Sequence, residues 1–280
     1  MKNYLLLIII IFELGISGHA QNPIQYKKID TINLYMNMYV PEKIDSLKTH
    51  PAMVFFFGGG WITGSIKQFE PHAKYFSDRG LICFLVDYRI KSRHNTGPVE
   101  SLEDAKSAIR FIRQNASGLF VDTSKIIAAG GSAGGHLAAA TALINDYNEM
   151  NENQKVNCKP NALVLFNPAI DNGPGGYGYE RLGEQFKNFS PLHNIRKGAP
   201  PTILFLGTND HIIPVETAKY YKVIMEKVGS RCDLILYEGE KHGFFNYKNF
   251  DNFNKTVYET DKFLISLGYL SGEPMIKFSE

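Results

Sequence analysis

Hydrophobic positions fall into short apolar runs, separated by longer stretches in which apolar residues return every three or four positions. Residues 34–40 alternate apolar and polar side chains among β-formers, the pattern of a half-buried edge strand. Residues 52–57 are continuously apolar and end in Gly58-Gly59-Gly60, and 81–86 repeat that run, as strands covered on both faces do. Between them, 68–78 carries Phe69, His72, Ala73 and Phe76 on one helical face. The same reading gives further helices over 104–114, 133–144, 215–228 and 258–267, and strands over 126–129, 162–166, 202–206 and 234–237. Strands alternating with helices predict an α/β fold, a mostly parallel central sheet with right-handed crossovers and helices on both faces. The rhythm breaks only at 167–200, which is rich in glycine and holds Tyr177, Tyr179 and Phe186. A loop of that length is read as a short rim or cap inserted into one domain spanning 21–280.

Composition narrows the classes. With 44% hydrophobic and 21% charged residues in 280, a sizeable core is available. A net charge of +2 leaves no basic footprint for nucleic acid. Cys83, Cys158 and Cys232 are too few for a disulfide scaffold and read as buried thiols. The first twenty residues set Lys2 before an apolar run at 4–12 and small residues up to Ala20, which predicts a signal peptide over 1–20 and a secreted or periplasmic protein. The run is about half the ~20 residues a membrane helix needs, so no permanent span is expected.

The candidate chemistry lies after strands, where open parallel sheets bind ligands. Gly130-Gly131-Ser132-Ala133-Gly134-Gly135 follows the strand at 126–129 and opens a helix, the setting in which G-x-S-x-G exposes a nucleophilic serine on a tight turn. Neither glycine cluster fits G-x-G-x-x-G, and no phosphate-binding G-x4-G-K-[ST] occurs. Gly58-Gly59-Gly60-Trp61 follows the strand at 52–57. The N–H groups of Gly59 and Gly60, with that of Ala133, form a candidate oxyanion hole, where each fixed donor is worth ~3–4 kcal/mol. A serine hydroxyl needs an imidazole to take its proton and a carboxylate to orient that imidazole. Asp210 and His242 each follow a late strand, in the chain order Ser, Asp, His of this arrangement. His136 reads as a packed histidine and His211 as a weaker competitor for the base, while Glu216 and Glu238 lie less directly after strand ends than Asp210. Arg89 and Arg93 read as members of ion pairs.

These residues, with Asp87-Tyr88-Arg89 and His242-Gly243-Phe244, make the chain similar to α/β-hydrolases over about 31–267, nearest to secreted bacterial carboxylesterases of the hormone-sensitive-lipase-like and carbohydrate-esterase kind. The resemblance implies hydrolysis of carboxylic esters by Ser132, Asp210 and His242 with no cofactor and no metal. The chain departs from the lipase-like pattern at Phe57, where that group has a histidine that helps tie down the glycine loop, so another group must hold it. The long N-terminal cap of that group is also absent, and the open cleft this implies suits acetyl or feruloyl esters borne on a sugar or polysaccharide. Trp61, the one tryptophan, is expected to contact substrate. Two alternatives remain open: a serine peptidase of the prolyl-oligopeptidase type, and a hydrolase fold that binds a small molecule without catalysis. No oligomeric state is predicted.

Overall fold

A computed structural model describes residues 23–278; the stretch read as a signal peptide lies outside the described residues. Eight strands form one sheet: β1 Ile24–Ile29, β2 Ile32–Tyr39, β3 His50–Phe56, β4 Ile82–Val86, β5 Val121–Gly131, β6 Ala162–Phe166, β7 Thr202–Gly207 and β8 Cys232–Tyr237. Their spatial order is β1-β2-β4-β3-β5-β6-β7-β8. β2 runs antiparallel to β1 and β4, and every pair from β4 across to β8 is parallel. The helices are α1 Glu70–Asp78, α2 Lys91–His94, α3 Pro98–Gln114, α4 Ala133–Leu143, α5 Tyr179–Leu182, α6 Phe186–Phe189, α7 Val215–Lys227 and α8 Phe250–Ser266.

Strand alternation sorts the core into two layers. Ala52, Val54 and Phe56 of β3 and Leu163 and Leu165 of β6 face α3, α4 and α7. Met53 and Phe55, with Val164 and Phe166, face α1 and α8 on the other side. Successive side chains of a strand point to opposite faces, so continuous apolar runs are what a doubly covered sheet requires. α4 is buried along its whole length, as a helix apolar all round must be.

The structure corrects the edge of the sheet: β2, read as the edge strand, is second from it, because β1 pairs outside it. β1 escapes a hydrophobic reading because it carries Lys27, buried by its ion pairs with Asp104 at 2.8 Å and Glu149 at 3.0 Å. α3 starts at Pro98, six residues before the predicted 104; proline suits the first helical turn, and the Glu100 carboxylate accepts the Gly97 N–H at 2.9 Å. α8 starts at Phe250 rather than 258. The segment 167–200 holds α5, α6 and short 3-10 turns. Its Phe189 and Leu192 pack into the same core layer as α4.

Candidate active site

Ser132 stands between β5 and α4 with φ 53° and ψ −119°. A non-glycine residue held there costs on the order of 1–3 kcal/mol, and the surroundings must enforce it. They do so through backbone bonds: Ser132 N–H donates to Phe166 O at 2.9 Å, and Ser132 O accepts from Ala169 at 3.1 Å and His136 at 3.0 Å. The tight start of α4 also needs Gly134, where a Cβ would lie 2.0 Å from Phe56 O.

His242 Nε2 lies 2.9 Å from Ser132 Oγ, and His242 Nδ1 lies 2.7 Å from Asp210 Oδ2. The three groups singled out after β5, β7 and β8 therefore form one hydrogen-bonded line. The Asp210 carboxylate is fully buried, and its Oδ1 accepts the N–H groups of Ile212 and Ile213 at 2.8 and 3.0 Å. Burial alone would raise its pKa, but the bonds from His242 and the two amides outweigh it and hold Asp210 below the usual carboxylate value. It stays ionised to accept from imidazole. His211 is exposed, as are Glu216 and Glu238, and none of the three bonds to the Ser132–His242 pair.

Of the glycine loop, Gly58 N–H is engaged by Gln68 Oε1 at 2.6 Å. The N–H groups of Gly59, Gly60 and Ala133 meet no acceptor among the described residues, which leaves them available to an oxyanion. Gly59 has φ +126°, and a Cβ there would lie 2.1 Å from Thr63 O, so only glycine fits. The work of the missing histidine is shared. Tyr88 Oη donates to Phe57 O at 2.5 Å, with the two rings stacked 4.1 Å apart, and Arg181 donates to Gly60 O at 2.7 Å.

Trp61 is not at the lip of the cleft. Its side chain is 1% exposed, packed against His136, Tyr177 and Phe189 with centroids 5.1, 5.6 and 6.2 Å away. A left-handed backbone (φ 60°) turns it inward, and the expectation of a substrate-contacting tryptophan gives way to a packing role. His136 is buried as expected, bonded through Nε2 to Phe189 O at 3.0 Å while Nδ1 has no partner. Arg89 and Arg93 are ion-paired as read, to Asp104 at 2.8 Å and Asp87 at 2.5 Å. All three cysteines are buried and free.

Sequence reasoning missed three groups. Buried Asn167 accepts Gly243 N–H through Oδ1 at 3.0 Å, which turns its amide toward His242 Nε2 at 3.4 Å. Gln68 Nε2 donates to Asn246 Oδ1 at 2.9 Å, and Asn246 Nδ2 donates to Gly243 O at 2.7 Å, so an amide relay joins the glycine loop to the histidine loop. Only the position of Asn167, directly after a strand, was a usable signal. Among the described residues no group of His, Cys, Asp or Glu side chains gathers to hold a metal ion, and no helix is long and apolar enough to cross a membrane.

Two family models match. BD-FAE covers residues 36–172, and the dienelactone hydrolase family covers 165–262. The first span holds the glycine loop and Ser132, the second Asp210 and His242. The chain is 28% identical to isoprenylcysteine alpha-carbonyl methylesterase of Arabidopsis thaliana, over 74% of this chain and 53% of that protein. It is also 28% identical to endo-1,4-beta-xylanase B of Butyrivibrio fibrisolvens, over 60% of this chain and 28% of that one. The chain spans about half the length of the first of these relatives, and less of the second. Thermogutta terrifontis esterase 2, solved after phosphorylation by paraoxon, is 43% identical with a TM-score of 0.86, covering 91% of this chain and 96% of that one. By that likeness over nearly a whole solved esterase, and by both family matches, the chain belongs to the carboxylesterases of the α/β-hydrolase family.

Proposed function

We propose that the protein is an exported serine esterase that removes acetyl or feruloyl groups from a carbohydrate. The observation that carries the serine mechanism is the continuous line Ser132 Oγ–His242–Asp210 at 2.9 and 2.7 Å. Ser132 Oγ attacks the ester carbonyl while His242 Nε2 takes its proton, and buried Asp210 stabilises the resulting imidazolium. The carbonyl oxygen becomes an oxyanion and settles on the uncommitted N–H groups of Gly59, Gly60 and Ala133. The alcohol leaves with the proton from His242, and water, activated by the same imidazole, hydrolyses the acyl-enzyme. Ser132→Ala is expected to abolish release of p-nitrophenol from p-nitrophenyl acetate; retained turnover would overturn the assignment.

A carbohydrate substrate is supported by the match to a stretch of a protein named as a xylanase and by the open groove beside the glycine loop. Release of acetic or ferulic acid from acetylated or feruloylated oligosaccharides, against a proline p-nitroanilide as the peptidase control, tests it. Export is supported by the pattern of the first twenty residues and is tested by locating the protein in fractionated cells and medium.

A further inference from the structure

A groove of about 580 Å³ opens between the glycine loop and the turn after His242, and Trp61 is not among its lining residues. Gly58 and Gly59 line it, and Gly58 packs beside the nucleophile: a Cβ on it would sit 3.4 Å from Ser132 Cβ. The groove thus borders both the loop that presents the oxyanion donors and the turn that follows His242, which the Gln68–Asn246 relay ties together. Gln68 and Asn246 line it, and each has one amide hydrogen left after the relay described above.

Two features give the groove a chemical preference. Lys67 on one wall and Lys248 on the other are exposed, and neither has a carboxylate partner among the described residues. The acid closest along the chain to Lys67, Glu70, is paired with Lys74 at 3.3 Å. Lys248 also lines a neighbouring depression beside His242, together with Lys241 and Glu240. Tyr247 projects from the same turn, 51% exposed, its ring held edge-on by Phe250 and Phe253 with centroids 5.5 and 5.0 Å away. A supported aromatic ring beside uncommitted amide donors suits a hydroxylated ring, and two unpaired ammonium groups across an open groove suit an anion.

Resting on the esterase reading above, we infer that this groove is the alcohol-side subsite and that it takes an anionic sugar: the ring lies against Tyr247 and the carboxylate or sulfate lies between Lys67 and Lys248. The test compares kcat/KM of the full enzyme on O-acetylated methyl galacturonide, its 6-sulfated galactoside counterpart and the neutral galactoside. The expected result is a preference for an anionic sugar of about tenfold at ~0.02 M salt, collapsing toward unity at ~0.5 M as screening removes it. Lys67→Gln/Lys248→Gln should bring the ratio near one, and Lys67→Glu/Lys248→Glu should reverse it. Because each ratio is taken on one preparation, a loss of folded enzyme does not mimic the result. Preference for the galacturonide or for the sulfated sugar supports the inference and says which anion is bound. Equal rates on charged and neutral sugars in the unaltered enzyme, with p-nitrophenyl acetate still hydrolysed, overturn the inference alone. Inactivity on every ester removes the esterase reading and this inference with it.

Discussion

Toward the 167–200 segment the glycine loop at 57–61 packs against Tyr177 and Arg181, while Gly58 and Gly59 border an open groove. On the closed flank the Arg181 guanidinium lies 5.2 Å from the ring centroids of both Trp61 and Tyr177 and donates to Gly60 O. Trp61 in turn rests on His136 and Phe189. The open flank has no such stack; there a chain of amides, Gln68 to Asn246 to the Gly243 carbonyl, runs within reach of solvent. Both flanks restrain the same short loop, whose amides must be aimed before charge develops to be worth their full ~3–4 kcal/mol each. The closed flank does so with cation–π and aromatic packing. The open flank does so with hydrogen bonds and leaves a groove. Position is thus secured from both flanks, and on the inference above only the open one also selects.

The largest expected effect belongs to neither flank. Asp210→Asn keeps the size of the side chain but favours the wrong imidazole tautomer, and kcat on p-nitrophenyl acetate should fall by ~10³–10⁴. If the loss were only a few-fold, the line through His242 would not be the source of the rate, and the comparison of two flanks around it would lose its centre.

The flanks are separated by the next pair. Arg181→Ala should lower kcat by about tenfold or more with little change in KM for a small ester, since the oxyanion forms only in the transition state. Arg181→Lys should not restore it, because an ammonium cannot both donate to Gly60 O and lie flat over two rings. Gln68→Ala should cost a smaller factor, about three- to tenfold, and Gln68→Glu should recover part of it: its carboxylate still accepts Gly58 N–H but cannot donate to Asn246. Because both residues restrain one loop, the double variant Arg181→Ala/Gln68→Ala is expected to be non-additive. Strict additivity would mean that the flanks act on different things.

How much of this was legible in the sequence follows from what each residue is seen against. Ser132, Asp210 and His242 stand out because glycine-rich turns after apolar strands leave few polar candidates, and the chain order settles most of the rest. β3 to β8 were visible because a sheet covered on both faces demands unbroken apolar runs. β1 was hidden because Lys27 is buried by its partners Asp104 and Glu149, and neither is near it in sequence. Trp61 was misplaced for the same kind of reason: its inward turn depends on a positive φ and on Phe189, more than a hundred residues later. Gln68 and Asn246 lie 178 residues apart, so no local pattern could announce the relay. Contacts within a strand–turn–helix unit are readable from the sequence, whereas contacts between units wait for the fold.

The smallest effect on activity, and the one that extends the comparison into the core, concerns a buried histidine beneath each flank. His136 lies under Trp61 and gives Nε2 to Phe189 O. His72 lies in the layer with α1 and α8, against Phe253, Phe69 and Phe166 at 4.7, 5.0 and 5.4 Å, and neither of its ring nitrogens has a partner. Burial pushes both down from 6.5 to about 3. The unfolded chain takes up these protons near 6.5 and the folded chain only near 3, so in that window the unfolded state binds more protons. Stability is then greatest above about 6.5 and falls on acidification, by up to ~1.4 kcal/mol per pH unit for each histidine. His72→Phe should flatten this acid limb by about one proton, with kcat unchanged and no loss of stability at pH 7, because it removes unpartnered polar atoms from an apolar cage. His136→Phe should flatten the limb equally, but it strands the Phe189 carbonyl, costing ~1–3 kcal/mol at pH 7, and it disturbs the stack that holds Arg181, so kcat falls as well. Urea midpoints between pH 4 and 7, read beside kcat, check both variants. An acid limb unchanged by His72→Phe would show that the proton is taken up elsewhere, and equal behaviour of the two variants at pH 7 would erase the distinction between the flanks at this depth.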